Sequence, residues 1–333
     1  MNVLVGDIGG TKTNLAVFSS DTGPHQPLAE KSYHSAHYDS LEAIVSEFLA
    51  ESKQIVRFGC FAVAGPVIEG RAQITNLPWV VDAANLKSAF SLSNVTLLND
   101  LESLAYSIST LTSEDILTLS EGTRVAGGNV AVIAPGTGLG EAFLTFKDGR
   151  YDAHASEGAH ASFSPIGELQ IGLLTYLNQK GYDHVSFERV CSGGLGIPNL
   201  YAYLKSTALE EPPWLAEQLL EAEDPTPVIV SAANDSSRPC ELAVAVLDMF
   251  IAILGIEAGN LALKVLATGG IYLGGGIPPR ILPQLHKPLF LEAFRNKGRF
   301  RKMMTDIPVH VILNAKAGLM GAASVALSHP GSG

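Results

Sequence analysis

The sequence predicts a mixed α/β protein built as two domains, and three observations carry that reading. Apolar, β-rich runs alternate with segments of helical spacing. A glycine turn flanked by apolar runs occurs twice, around Gly10 and around Thr137, about 127 residues apart, as two related α/β halves would place it. The 333 residues, 47% hydrophobic and 17% charged, supply enough core for one large domain or two of ordinary size.

Taken in order, MNVLVGDIGGTKTNLAVF reads as a strand, a tight hairpin and a second strand. LEAIVSEFLA has helical spacing, and FGCFAVAG reads as a buried strand. VTLLNDLESLAYSISTL passes from a strand into a helix, with Leu101, Leu104, Ala105, Ile108 and Leu111 close to helical spacing. GNVAVIAPGTGLGEAFLTF repeats the opening pattern, with its Gly/Thr turn from Pro135 to Gly140. LEEPPWLAEQLLEAEDPTP reads as a surface insertion, and LAVAVLDMFIAILGIEAGNLAL as a long buried helix. VLATGGIYLGGGI supplies a third glycine turn, AGLMGAASVAL a closing helix of small residues, and the polar tail SHPGSG is expected to fray.

Net charge is −11, with 33 acids against 22 Lys plus Arg, so the chain has no electrostatic footprint for nucleic acid and a small ligand is expected instead. The three cysteines, Cys60, Cys191 and Cys240, are odd in number and far apart. That spacing argues against a disulfide framework and a clustered zinc site, and points to a reducing cytoplasm. No apolar run is read as approaching the ~20 residues that cross a bilayer, and the start lacks the features of a signal peptide. An unexported protein with no membrane partner is expected.

VGDIGGTKTNL, residues 5–15, strips side chains from a turn after one lone acid, Asp7. A Walker A loop needs glycine immediately before its Lys-Ser/Thr, where this chain has Thr11, and a helix afterwards, where this chain shows a second apolar strand. A dinucleotide fingerprint fits no better. A glycine hairpin does expose backbone N–H groups to a phosphate chain, with threonine hydroxyls and a lysine as further donors. Asp7 then fits as a carboxylate holding Mg²⁺, directly or through water; the alternative is a tight turn capped by Asp7.

DIGGTKTN, APGTGLGE and ATGGIYLGGGI, in this order on apolar strands, resemble the first phosphate, second phosphate and adenosine motifs of the actin-like ATPase and sugar kinase superfamily. With NDLESLAY and SEGAHASF added, the chain resembles the bacterial glucokinases of the hexokinase-like, proteobacterial type from Val3 to about Leu327. The resemblance implies a two-domain, ribonuclease H-like fold. The small domain would be residues 1–110 plus 315–328 and the large one residues 111–314, with a sugar and ATP cleft between them that closes to exclude water. It further implies a homodimer, with ATP and Mg²⁺ as cofactors and glucose converted to glucose 6-phosphate. A related repressor and sugar kinase group carries a cysteine-rich zinc motif that this chain lacks, so no structural zinc is expected.

By the same resemblance, Asp100 takes the proton from the sugar 6-hydroxyl and Asn99 orients neighbouring hydroxyls. The residues alone also fit a helix N-cap with Glu102 closing a capping box, and the two roles are compatible. Glu157 and His160 match the family's sugar-binding acid and histidine, Glu188 its second glutamate at the anomeric end, and Gly65 and Pro66 the loop under the sugar. Gly9, Gly10, Thr11, Lys12 and Thr13 would form the first phosphate loop and Thr137 and Gly138 the second, with Gly138 also near the sugar. Gly269, Gly270, Gly274, Gly275 and Gly276 would wall the adenine and ribose. Rival readings are a kinase of another hexose, a non-catalytic sugar sensor, and an actin-like ATPase.

Overall fold

The structure of the protein, a computed structural model, describes residues 1–328 except 75, 76 and 208, so the tail beyond Ser328 lies outside the described residues. The chain divides into two compact units: Met1–Asp115 with Ala142–Ala155 and the chain from Asn314 on, and Ile116–Glu141 with Ser156–Leu313. Residues 111–115, 142–155 and 314 thus group with the first unit rather than with the rest of 111–314. Two hydrogen bonds within this unit join those segments to it: Asn314 Nδ2 to Asp115 Oδ1 at 2.7 Å, and the Tyr106 hydroxyl to Asp152 Oδ1 at 3.0 Å.

In the first unit, β1 (Asn2–Ile8), β2 (Lys12–Ser19) and β3 (Ala29–His34) form an antiparallel meander, followed by α1 (Leu41–Ser52). β4 (Phe58–Val63) returns parallel to β1. A small hairpin of β5 (Arg71–Gln73) and β6 (Val80–Asp82) and the helix α2 (Ala83–Ala89) precede β7 (Asn94–Asn99), which is parallel to β4 and runs straight into α3 (Asp100–Ser107). The sheet order is β3-β2-β1-β4-β7. Alternate residues serve opposite faces, as the period of a strand requires. Leu4, Ile8, Phe61 and Val63 pack with Ile44 and Phe48 of α1, while Val3, Val5, Cys60 and Leu98 pack with Leu319, Ala322 and Ala323 of the C-terminal helix Ala317–Ser328.

The chain then passes through β8 (Ile116–Ser120), β9 (Val130–Pro135), β10 (Leu139–Lys147) and β11 (Arg150–Ser156). Six helices come next: α4 (Gly167–Gln179), α5 (Phe187–Val190), α6 (Gly196–Lys205), α7 (Pro213–Glu221), α8 (Pro225–Asn234) and α9 (Glu241–Val265). After β12 (Gly270–Leu273) come α10 (Leu282–Leu285), α11 (Pro288–Arg295), α12 (Arg301–Asp306) and β13 (Val309–Ile312). Within the second unit the strands lie in the order β9-β12-β13-β8; β12 is parallel to β9 and β13, and β13 is antiparallel to β8.

α9 corrects one expectation, because its 25 residues, with a mean hydropathy of 2.1 over the best window, are long and apolar enough to cross a membrane. Most of the helix is instead buried in its own unit, against α6, α8 and α11. Gly255 and Gly259, one turn apart, let α11 come close: a Cβ at either position would sit 2.6 Å from a carbonyl oxygen, of Phe290 and Phe294 respectively.

The C-terminal helix meets α3 just as closely. A Cβ on Gly321 would run into the Ser103 carbonyl oxygen, and Ser103 Oγ donates to Gly318 O at 2.8 Å. Gly321→Val is therefore expected to lower the unfolding free energy by about 1–3 kcal/mol through overpacking. Urea titration tests this, and an unchanged midpoint would contradict the close crossing.

Candidate active site

β1, β4 and β7 end level with one another, Ile8 opposite Val63 and Val63 opposite Asn99. The segments leaving these strands collect along the carboxyl edge of the sheet, where ligands of parallel sheets bind. The turn after β1 is closed by the Gly9 N–H donating to Lys12 O at 2.9 Å, and it returns as a strand, which excludes the Walker arrangement. Thr11 and Lys12 are exposed at its tip.

Thr13 departs from its expected role as a phosphate donor. It is fully buried, with its hydroxyl 3.0 Å from Ser35 Oγ, which in turn donates to Gly9 O at 2.8 Å. Thr13 secures the turn from beneath. Asp7 stands beside the turn with its cross-strand neighbour Asn14. Burial pushes the Asp7 carboxyl up, and the Asn14 side chain, hydrogen-bonded to it, pulls the other way. Asn14 Oδ1 is occupied by Ser32 Oγ at 2.6 Å, which leaves its amide hydrogens for Asp7.

At the end of β7, Asn99 caps α3. Its Oδ1 accepts from the Leu101 N–H at 3.0 Å, and Glu102 accepts from the Asn99 N–H at 3.3 Å, completing a capping box. Asn99 Nδ2 donates to Gly65 O at 3.1 Å, so the loop after β4 and the start of α3 are tied together. Gly65 has φ +140°, a conformation that other residues rarely adopt. Asp100 Oδ1 lies 2.9 Å from the Leu101 N–H, which fixes the carboxylate at the helix start. Burial raises the Glu102 carboxyl, and the bond from the Asn99 N–H opposes that rise.

The second unit gathers a further set. The Phe163 N–H donates to Val185 O at 2.8 Å and the Phe187 N–H to Ala161 O at 3.1 Å, which sets the short 3₁₀ turn Gly158–His160 beside α5. His160 consequently lies between two carboxylates: Nδ1 is 3.5 Å from Glu157 Oε2, and Nε2 is 3.4 Å from Glu188 Oε2. A Cβ on Gly138 would sit 2.9 Å from Glu188 Oε1, so that glycine opens the same space. Glu157, His160, Glu188 and Gly138 form one cluster in which acceptors flank a donor, an arrangement suited to neighbouring hydroxyls. Among the described residues no group of three His, Cys, Asp or Glu side chains is placed to hold a metal ion.

The turn Gly136–Gly138 is supported on two sides. Gly193 and Gly194 donate their N–H groups to Gly136 O at 2.7 Å and Thr137 O at 2.8 Å, and the Ile277 N–H donates to Pro135 O at 3.2 Å. The five late glycines separate into two groups. Gly274 is buried just past β12, where its N–H donates to Ile133 O at 2.9 Å, while Gly275 and Gly276 beside it are exposed, and Gly275 backs onto Pro135. Gly269 and Gly270 are buried at the far end of β12, where the Gly269 N–H donates to Asn129 O at 2.8 Å. That is about 13 Å of strand away from the exposed pair. Asn14, Ser35, Glu102, Gly193 and Gly194 were not singled out as ligand-site residues by the sequence. Glu102 carries a local signal as the capping-box partner of Asn99, and the Ser-Gly-Gly at 192–194 another, a glycine pair after a short helix.

Comparison with known proteins adds to this geometry. The family model described as Glucokinase matches residues 4–329. A glucokinase of Nostoc sp. (strain PCC 7120 / SAG 25.82 / UTEX 2576) is 40% identical over 336 residues, covering 96% of this chain and 97% of the relative. The crystal structure of a glucokinase from an Antarctic psychrotroph has a TM-score of 0.81 and 32% identity, covering 98% of this chain and 99% of that one. A ROK family glucokinase from Streptomyces griseus, in complex with glucose and AMPPNP, shares the fold at a TM-score of 0.64 and 20% identity, covering 98% of this chain and 100% of that one.

The capping box makes a separate prediction. Glu102→Ala should cost about 1 kcal/mol of stability, as lost caps do, and should loosen the first turn of α3. Amide exchange at Leu101 and Ser103 is the readout, and unchanged protection would show that the box does not hold this helix start.

Proposed function

The chain belongs to the glucokinase family, and on that premise we propose how its residues carry out the phosphorylation of glucose at the 6-hydroxyl. The observation that carries the proposal is the Asn99–Asp100 pair, fixed at the carboxyl edge of β7 by the capping box and the Gly65 carbonyl.

In this reading the Asp100 carboxylate accepts the 6-hydroxyl proton as the oxygen attacks. Asn99 retains one amide hydrogen beyond the bond to Gly65, and it offers that hydrogen to a neighbouring hydroxyl. Glu157 and His160 hold adjacent hydroxyls, Glu188 addresses the anomeric end, and Gly65 and Pro66 support the sugar through backbone. The turn Gly9–Lys12 presents N–H groups, the Thr11 hydroxyl and the Lys12 charge to phosphates, and Thr137 and Gly138 act likewise. Gly274, Gly275 and Gly276 are the portion of the late glycine run that we assign to the nucleotide.

ATP with Mg²⁺ supplies the phosphoryl group. Asp7 fits the cation, because burial raises this carboxyl as expected where its charge lacks full compensation, and the Cβ that Gly318 lacks would still sit 3.9 Å from it. Phosphates and water would complete the coordination. A cytoplasmic setting and a homodimer complete the proposal, both on the family likeness.

The test is ADP release from MgATP without sugar and with glucose, mannose, fructose or N-acetylglucosamine at equal concentrations. Strong dependence on glucose supports the reading, and equal release without sugar contradicts it. Asp100→Ala should retain glucose binding while turnover falls by at least ~10²-fold, the lower end for a lost general base. Wild-type turnover in that variant would remove Asp100 from the role. Gly138→Ala, which crowds Glu188, should raise KM for glucose by about 3- to 10-fold, the value of one hydrogen bond; an unchanged KM would free Glu188 from sugar binding.

A further inference from the structure

Beneath the turn Gly158–His160 lies a pair of buried acids that the proposed reaction does not use. Glu141, three residues beyond Gly138 on β10, is 1% exposed, and Glu257, on the inner face of α9, is fully buried. The two carboxyl groups are close enough that Glu257 raises the proton affinity of Glu141. A Cβ on Gly158 would run into Glu141 Oε2, so the acid fills the space under the residue between Glu157 and Ala159.

The two acids are not equivalent. Glu257 is supplied with donors: Asn260 Nδ2 at 2.8 Å and Lys264 Nζ at 3.3 Å. Glu141 Oε1 is buried and receives no hydrogen bond. An acceptor-only carboxylate in that position is costly, whereas a protonated one provides the missing donor and turns the contact with Glu257 into an O–H···O bond. One proton across the pair leaves one negative charge, which Lys264 faces. Two charges would be adjacent in a buried site. The other titratable groups around the pair are Cys191, just after α5, whose thiol burial holds protonated, and Lys297, after α11. Lys297 donates to Asn260 Oδ1 at 2.6 Å, one step removed from Glu257.

We propose that Glu141 is a positioning residue for the sugar: protonated and bonded to the Glu257 carboxylate, it supports Gly158 and sets the turn that presents Glu157 and His160. The proposal rests on the reading of those two residues as glucose ligands. Burial, reinforced by the neighbouring Glu257, pushes the Glu141 carboxyl up to about 8, and alkaline pH removes the shared proton. Once it is lost, the two carboxylates repel and the support beneath the turn is disturbed.

The experiment is steady-state kinetics from about pH 6.5 to 9.5, across the transition, on the wild type, Glu141→Gln and Glu157→Gln. The wild type should show KM for glucose rising about 3- to 10-fold as pH passes about 8, with kcat little changed. Glu141→Gln, whose amide donates to Glu257 and does not ionise, should keep a low KM throughout. A flat wild-type KM, or a Glu141→Gln profile that rises with the wild type, would overturn the pair's role. Unchanged KM in Glu157→Gln would contradict the sugar reading itself. A raised KM there, together with a rising Glu141→Gln profile, would contradict the pair alone.

Thermal melts give a second readout. Because the folded state raises the proton affinity of Glu141, its contribution to stability is complete below the ordinary carboxyl value of 4.5 and is lost as pH rises to about 8. The wild-type Tm should therefore fall more over that interval than the Tm of Glu141→Gln. Parallel curves would count against a shared proton.

Discussion

The level ending of three parallel strands is the constraint on which the chemistry of the first unit depends. Ile8, Val63 and Asn99 are in register, so the three segments that leave β1, β4 and β7 emerge side by side. A slip of one residue in any of them would exchange the two faces of that strand, moving Leu4 or Phe61 out of one core and Val5 or Cys60 out of the other. Two cores, one on each face of the sheet, therefore hold the register. Asp7, the glycine turn, Gly65 and the Asn99–Asp100 pair inherit their positions from it.

Hydrogen bonds then fix the side chains that the strands deliver. Ser32 occupies Asn14, which leaves Asn14 to meet Asp7; the Leu101 N–H and the Gly65 carbonyl together occupy much of the Asn99 side chain. The second unit works similarly with a different backbone. There the pairing of residues 161–163 with 185–187 places His160 between Glu157 and Glu188, and a buried acid pair lies beneath the turn. Such groups are preorganised before a substrate arrives, which lowers the cost of orienting it.

Much of this was legible in the sequence because it depends on local pattern. The glycine hairpins at Gly10 and Thr137, the strand running into a helix at Asn99, and the cap with Glu102 three residues on are all written in adjacent residues. Other features depend on which way a side chain turns or on partners distant in sequence. Thr13 looks like a phosphate donor until its strand register turns it towards Ser35. Gly269 and Gly270 resemble their neighbours Gly274 to Gly276, yet the four residues of β12 carry the two groups to opposite ends. The apolarity of α9 reflects neighbours on several sides, which composition does not separate from a lipid environment. Glu141 and Glu257 are far apart in the chain, and nothing local marks them as a pair.

The central claim is that the Asp100 carboxylate, fixed at the start of α3, receives the proton of the sugar 6-hydroxyl. A crystal structure of the protein with glucose tests it most directly. The account predicts an Asp100 carboxylate oxygen within about 2.6–3.2 Å of the 6-hydroxyl oxygen, the reach of a general base. A sugar bound with its 6-hydroxyl against another acceptor, and with Asp100 turned to solvent, would contradict it.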